Sequence, residues 1–581
     1  MNKKWQVYDS NEEKIEEISK KYNLNKLLST ILVNRNIITE EEIRLFLEPT
    51  RNDFHNPFLI KDMDIAINRI IKAIENKEKV TIYGDYDVDG ITSITVLKSF
   101  LNDRGLEVSQ YIPNRLDEGY GLNKNAIEKI HKNGCDLMIT VDCGISAIEE
   151  ISYANDLGIE TIVTDHHEPG NELPNALAVI DNKRKDATYP FRELAGVGVV
   201  FKVIQAIGMQ LGLKEEEYLK YLDIVCIGTI SDIVPLVDEN RVIAKLGLLL
   251  IKQTRNIGLR SIINASGYNK IDSNSISFGI APRINACGRM GKAEDALKLF
   301  LSKNLNEVSS LTSKLNEYNK LRQDTEKKIF ESAVKEIKEE NLDKNAAIIV
   351  GGHNWHHGVI GIVASKITEM YFKPSILLSF EEDGIGTGSG RSIPGFDLHE
   401  ALTKCIDSIE KFGGHSMAIG ITVKKDKFEL FKEEFERIAK QAKIDEIIPI
   451  INIDAKIDFS NIKDIVPIIN IDAEIDLNNI NKDIVKSLSA LEPFGEGNKM
   501  PIFAFKNLKI DSIRALSEGK HLKLTLREEN TIINAIGFNM GSFVDDYRIG
   551  DKVDVAGVLE INTFNGVDTL QINMKDIMKS I

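Results

Sequence analysis

Three segments of this sequence each run an apolar stretch into a burst of metal-ligand residue types. Val80-Thr81-Ile82-Tyr83 leads into Gly84-Asp85-Tyr86-Asp87-Val88-Asp89-Gly90, Asp136–Val141 leads into Asp142-Cys143-Gly144, and Ile159–Thr164 leads into Asp165-His166-His167. A further aspartate, Asp232, closes Gly228-Thr229-Ile230-Ser231-Asp232 after another apolar run. Each piece alone has a plain reading: a solvated Asp-x-Asp-Gly turn, a helix cap at Asp142, a surface histidine pair. Consecutive strand ends are where open α/β sheets bind ligands, so together the pieces describe a site. Its donors are hard oxygens with some imidazole nitrogen, which suits Mn²⁺ or Mg²⁺ better than Zn²⁺ or Ca²⁺. So many carboxylates cannot all stay ionised in one place without cations to offset their repulsion. Two metals ~4 Å apart, bridged by a carboxylate and a water, would clamp a phosphoryl group for in-line attack.

Positioning these groups requires a scaffold, and the hydrophobic pattern supplies one. Between about 60 and 185, helices at Met63–Asn76, Ile91–Asn102, Lys124–Lys132 and Ser146–Leu157 alternate with strands at 80–84, Val108–Ile112, Leu137–Val141, Ile159–Thr164 and Leu177–Ile180. That alternation predicts an α/β, doubly wound parallel sheet. Residues 190–300 read as mostly helical. Leu305–Ile337 carries apolar or near-apolar positions at 308, 311, 315, 318, 321, 325, 329, 333 and 337, the spacing of one long connecting helix. A smaller α/β unit begins at Ala346-Ala347-Ile348-Ile349-Val350. The last 140 or so residues hold short strand candidates (Phe503–Phe505, His521–Leu526, Ile532–Gly537, Lys552–Val558, Thr569–Ile572), which suggest a small β-barrel. The expected division is a helical segment at 1–55, the metal-binding domain at 56–302, the connecting helix at 303–340, the smaller α/β domain at 341–440 and the barrel domain at 441–581. Within the last, residues 447–458 recur almost unchanged at 465–476, a local tandem duplication at 447–476.

Composition narrows the class. The chain has 581 residues, a formal net charge of -15 and 43% hydrophobic residues. The acidic balance argues against a general nucleic-acid coat while leaving room for an enzyme whose basic residues line one groove. Five cysteines without a C-x-x-C pair fit a reducing compartment and indicate neither zinc nor a disulfide framework. The N-terminus has no apolar h-region, and no apolar run approaches the ~20 residues that span a bilayer. A soluble, cytoplasmic protein, expected to be monomeric, is the reading.

The order GDYDVDG, TVDCG, TDHH and GTISDIVPL resembles the DHH phosphoesterase superfamily, and the remainder resembles its RecJ branch, the single-strand-specific exonucleases. Arg115–Leu122, Ala281-Pro282-Arg283-Ile284-Asn285-Ala286-Cys287-Gly288-Arg289, Trp355 with Gly358–Gly361, Gly388–Ser392, Gly413-Gly414-His415 and Pro493–Asn498 extend the likeness along nearly the whole chain. The resemblance implies that Asp87, Asp89, Asp142, His166 and Asp232 ligate two metals, with Asp85 in the same acidic loop, and that His167 contacts the scissile phosphate. It implies that Asp165 orients the neighbouring histidine. Arg283, Asn285 and Arg289 would bind substrate from the first lobe, and Ser389, Arg391, Gly413, Gly414 and His415 from the second; guanidinium forks onto phosphate oxygens. The implied activity is a 5′→3′ exonuclease on single-stranded DNA in repair and recombination, with a RecQ-type helicase and a single-strand-binding protein as partners. The resemblance also implies an OB-like C-terminal barrel that holds the single strand by a positive groove and stacking, where Lys506, Lys509, Arg514, Lys520, His521, Lys523 and Arg527 supply local positive charge. Val88 stands where the family has a smaller alanine. Two rivals remain: a phosphodiesterase of nanoRNA or cyclic dinucleotides, and an inactive DNA-binding scaffold. The former lacks need of a C-terminal barrel; the latter would be free to lose its acids.

Overall fold

Val80–Gly84, Leu137–Val141 and Glu160–Thr164 are uninterrupted apolar or threonine-rich runs, buried along nearly their whole lengths, as strands covered on both faces must be. In the computed structural model, which describes residues 4–8, 10–442, 468–564 and 567–580, they are the centre of a five-stranded parallel sheet. Its order is Val108–Tyr111, Val80–Gly84, Leu137–Val141, Glu160–Thr164, Ala178–Ile180. The register pairs Gly84 with Val141, Val141 with Thr164, and Thr164 with Ile180. The four following residues, Asp85, Asp142, Asp165 and Asp181, therefore leave the sheet at one level.

The described residues fall into two compact units, one drawn from Met1–Phe54, Pro235–Lys245 and Ile453–Ile581, the other from His55–Val234 and Leu246–Asn452. The second unit holds the parallel sheet, the helices that follow it, and the smaller α/β lobe. Between them runs Leu305–Glu339, a helix of 35 residues, or about 50 Å. One end buries Val308, Leu311 and Leu315, and the other packs Ile329, Ala333 and Ile337 into the core of the smaller lobe. Leu321, placed on the apolar stripe by its spacing, is 54% exposed. The turns around it bury Asn319 and Glu326 instead, with Glu326 paired to Arg322 and Lys366. A helix passing from one core to another has no apolar surface to meet in between. The smaller lobe has a five-stranded sheet in the order Lys411–Gly414, Ala418–Lys424, Ile385–Arg391, Ser375–Phe380, Ile348–His353, antiparallel except for its last pair.

In the other unit, Phe503–Leu516 pairs with both His521–Glu528 and Lys552–Phe564, and Thr531–Gly537 and Val567–Lys579 complete a closed barrel. Three of these strands run 13 or 14 residues rather than the short stretches expected. Register shifts at Phe505/Leu508, Ile510/Ser512 and Ala556/Gly557 let a strand bend and carry on, so polar breaks that read as turns are bulges. The expected N-terminal helices form, among them Glu12–Tyr22 and Glu40–Leu47, and a strand precedes them. Lys4–Val7 is a strand, parallel to Ile468–Ile471, and Trp5 Nε1 donates to Asp576 at 2.8 Å. Ile18, Leu28, Ile31 and Leu32 join Phe503, Phe505 and Leu524 in one core. The second copy of the duplication supplies Ile468–Ile471 and Ala473–Glu474; the first copy lies outside the described residues. Arg241 is fully buried here, and its guanidinium lies over the Phe46 ring at 3.7 Å. It donates to the carbonyls of Phe46, Leu491, Glu492 and Pro493.

Candidate metal centre

The acidic loop after Val80–Gly84 is tighter than a simple turn. The helix that follows begins at Val88 rather than Ile91, because Asp87 caps it by accepting from the Gly90 amide at 3.1 Å. Asp89 thus rides on the first helical turn. Its carboxylate accepts the amides of Gly196 (2.6 Å) and Val197 (2.9 Å) at the start of the Gly196–Gln210 helix, a terminus that favours negative charge. Gly196 has to be glycine: a Cβ there would lie 2.8 Å from the Asp142 side chain and 2.9 Å from Asp89 Oδ2. Asp142 adopts a left-handed conformation, φ 59°, a region aspartate tolerates better than most residues. Asp232 caps the C-terminal end of Leu222–Ser231.

These elements bring the donors together. Ligand atoms of Asp85, Asp87 and Asp142 lie within 4.8 Å of one another, as do those of Asp89, His166 and Asp232, and those of Asp142, His166 and His167. His166 Nε2 is 3.1 Å from Asp142 and 3.8 Å from Asp89, and its Nδ1 is 3.6 Å from Asp232. Both ring nitrogens of His166 are buried and make no hydrogen bond, and Asp85 Oδ1 is likewise buried without one. Buried polar atoms are rarely orphaned, so these atoms fit the role of metal ligands. Burial pushes Asp85, Asp89 and Asp142 well above the usual carboxylate range, with neighbouring aspartates adding to it. Asp232 is raised to about 7 by burial and Asp87. Burial, followed by the charge of His167, lowers His166 to about 3 and keeps it a neutral donor. The mixture of hard oxygens and neutral imidazole fits Mn²⁺ or Mg²⁺.

Asp165 takes no part in that donor set. It accepts the amides of Ile145, His166 and His167, and its Oδ1 is 2.7 Å from His167 Nδ1. Burial opposes both charges, yet the pairing wins: Asp165 stays below the ordinary range and His167 is raised to about 9. His167 Nε2 is left facing a cavity of about 650 Å³ lined also by Tyr120, Lys183 and, from the smaller lobe, His415. Gly413 and Gly414 end the edge strand that leads to His415.

The remaining expected substrate contacts divide. Burial lowers Arg289 to about 10, and nearby Arg115, Arg322 and Arg391 add to the effect. Arg391 is lowered by burial and by Arg115, and donates to Ser389 Oγ at 2.6 Å. Guanidiniums gathered this closely want an anion. Arg283 is committed elsewhere, to Asn316 at 2.7 Å and to the carbonyls of Gly279 and Ala265. Asn285 accepts the Val88 amide at 3.2 Å and so braces the acidic loop. Sequence reasoning missed Arg115, whose guanidinium lies 5.0 Å from the Tyr86 ring centre, and Tyr120 and Lys183 at the cavity. It also passed over Asp181, fully buried with Oδ2 unpartnered; its place after a fourth strand end was the available signal.

Residues 79–229 match the DHH family, N-terminal domain; 343–441 match the DHHA1 domain; and 471–576 match the RecJ OB domain. The chain is 37% identical over 99% of its length to the single-stranded-DNA-specific exonuclease RecJ of Bacillus subtilis, spanning 70% of that protein. Among solved structures, RecJ of Thermus thermophilus in complex with Mn²⁺ superposes with a TM-score of 0.82 at 28% identity, covering 100% of this chain and 80% of that one. The same protein in complex with Mg²⁺ gives 0.75 at 26% identity, covering 100% of this chain and 79% of the other.

Proposed function

The chain belongs to the RecJ family of single-stranded-DNA-specific exonucleases, and from that premise we propose that it hydrolyses single-stranded DNA from the 5′ end at the Asp85–Asp232 centre. The observation that carries the reading is the convergence, from strand and helix ends, of five carboxylates and an imidazole whose ring nitrogens make no hydrogen bond. Asp85, Asp87 and Asp142 would hold one cation, Asp89, His166 and Asp232 a second. Bound there, Mn²⁺ or Mg²⁺ supplies an activated water and offsets charge on the scissile phosphate.

The protein's own groups do the rest. Asp165 accepts a hydrogen bond from His167 Nδ1–H, which fixes the ring so that its Nε2–H is presented to the cavity and to a phosphate oxygen. Arg115, Arg289 and Arg391 neutralise phosphate on the 5′ side, Arg391 being steadied by Ser389. His415 lines the same cavity from the smaller lobe, next in sequence to the strand that Gly413 and Gly414 end. Asp89 is held in place by two amides at a helix start, which offset part of the cost of burying it.

The barrel supports binding of the strand beyond the site. Arg514 and Lys523 face each other across paired strands, and among the described residues neither has a carboxylate partner. Lys506 and Arg527 are neutralised in part by Asp554 and Asp511. A RecQ-type helicase and a single-strand-binding protein acting in the cytoplasm, and repair and recombination as the process, complete the reading; none of the described helices is long and apolar enough to cross a membrane.

Digestion of end-labelled single-stranded DNA, duplex DNA and a short RNA, with and without Mn²⁺, tests it. Mononucleotide release from the 5′ end of the single strand alone, and only with metal, is expected. Preferred cleavage of the short RNA would transfer the chain to the nanoRNA class, and binding without cleavage to the scaffold class.

A further inference from the structure

Tyr120 stands out as an aromatic ring that the fold spends effort to expose. Its loop is pinned on both sides. Glu118 accepts from the Tyr111 hydroxyl at 2.6 Å and from the Asn114 amide at 2.8 Å. The Gly121 carbonyl accepts from the buried Tyr83 hydroxyl at 3.0 Å. Between these anchors Gly119 and Gly121 both have φ of +81°, with open space around each, a conformation in which L side chains are strained. The ring held between them is 56% exposed. It stands edge-on to His167 at 6.1 Å and to Tyr86 at 6.5 Å. Its hydroxyl comes 3.5 Å from His167 Nε2. Arg115 lies against the Tyr86 ring, and of this run of rings Tyr120 and His167 line the cavity that His415 also lines.

An exposed apolar ring beside a phosphate-binding imidazole suits a substrate whose bases are unstacked. We propose that Tyr120 is a substrate-positioning residue: its ring stacks on the base of the nucleotide adjoining the scissile phosphate, and its hydroxyl holds His167 until a phosphate oxygen takes its place. The inference rests on the reading of the metal centre given above and adds the group that selects an unpaired base. In a duplex the base faces are covered by their neighbours, and this platform finds no partner. Base–aromatic stacking tolerates every base, because each has a π-face, which matches an enzyme that must consume any sequence.

The test is a cycle between protein and substrate. Steady-state hydrolysis of a 5′-phosphorylated oligonucleotide is compared with that of oligonucleotides carrying an abasic residue at nucleotide one or two, for wild type and Tyr120→Ala, Tyr120→Phe and Tyr120→Trp. Tyr120→Ala should lower kcat/KM on the intact strand roughly 5- to 100-fold, mainly through KM. One of the two abasic strands should impose a similar loss on wild type, and the two losses should not add. Tyr120→Phe and Tyr120→Trp should stay within about threefold of wild type, since each keeps a ring. Additive losses at both positions would make Tyr120 a prop for its loop and overturn the proposal. So would the absence of any abasic penalty on wild type, a result that needs no variant to fold. Asp142→Ala serves as the separate control: cleavage by that variant would overturn the metal centre itself, whatever the cycle gives.

Discussion

Gly196 touches no substrate and carries no charge, which makes Gly196→Ala a sharp probe of how closely the carboxylates are set. The added methyl would sit 2.8 Å from Asp142 Cβ and Oδ1 and 2.9 Å from Asp89 Oδ2. Ordinary contact between such atoms begins near 3.4 Å, so one or both carboxylates must retreat by roughly half an ångström. The Gly196 amide that holds Asp89 is kept, so charge and hydrogen bonding are formally intact. Overpacking of this kind costs about 1–3 kcal/mol of stability, a fall of a few degrees in Tm for a unit this size. Activity should fall further, about 10- to 100-fold, because catalytic geometry tolerates less than an ångström of misplacement. The Mn²⁺ concentration giving half-maximal rate should rise with it. The assay is release of labelled nucleotide from single-stranded DNA across a Mn²⁺ titration. Gly170→Ala serves as the control, since a methyl there meets nothing within 4 Å. A Gly196→Ala enzyme with full rate and an unshifted metal titration would refute the claim that Asp89 and Asp142 work in these positions.

Proton linkage gives a second expectation. Asp232, raised to about 7, and the elevated Asp85, Asp89 and Asp142 favour the metal-free fold below about pH 4 and cost stability as pH rises through the folded values. A bound cation displaces those protons, so the Tm increment from saturating Mn²⁺ should be larger at about pH 8 than at about pH 5.5; an equal increment would count against ligation by these groups. Reversing both Arg514 and Lys523 to glutamate should weaken binding of a long single strand. It should also flatten the dependence of log Kd on log salt by about 1.4, the value for two phosphate contacts; an unchanged slope would place the strand elsewhere. Arg241→Met should lower stability by about 3 kcal/mol or more, because the four carbonyls it serves lose their donor. Wild-type denaturant resistance would mean that water replaces it.

The candidate metal centre was readable because strand and ligand alternate along the chain: Asp85, Asp142 and Asp165 each follow an apolar run, and a parallel sheet does the gathering. Asp165 was likewise legible as the orienting partner of a histidine. What escaped is what depends on distant partners. Arg283 looked like its neighbour Arg289, but only the fold shows that Asn316 and two carbonyls occupy it. Leu321 fits an apolar stripe that has nothing to pack against. The barrel strands read as short because a bulge and a turn use the same polar residues. Lys4–Val7 offers four residues with no alternation worth reading, and it becomes a strand only through Ile468–Ile471.

That pairing has a bearing on how the chain is made. A ribosome releases the first strand and the N-terminal helices long before their partner, since Trp5 and Asp576 stand 571 residues apart. At about 5–20 residues per second, roughly half a minute to two minutes of synthesis separates them. During that interval Ile18, Leu28, Ile31 and Leu32 have no core to enter, while the intervening catalytic unit can already collapse around its sheet. The nascent chain therefore carries these apolar side chains uncovered through most of the intervening synthesis, and chaperone capture of a stalled fragment is the cost of building one core from segments so far apart in sequence.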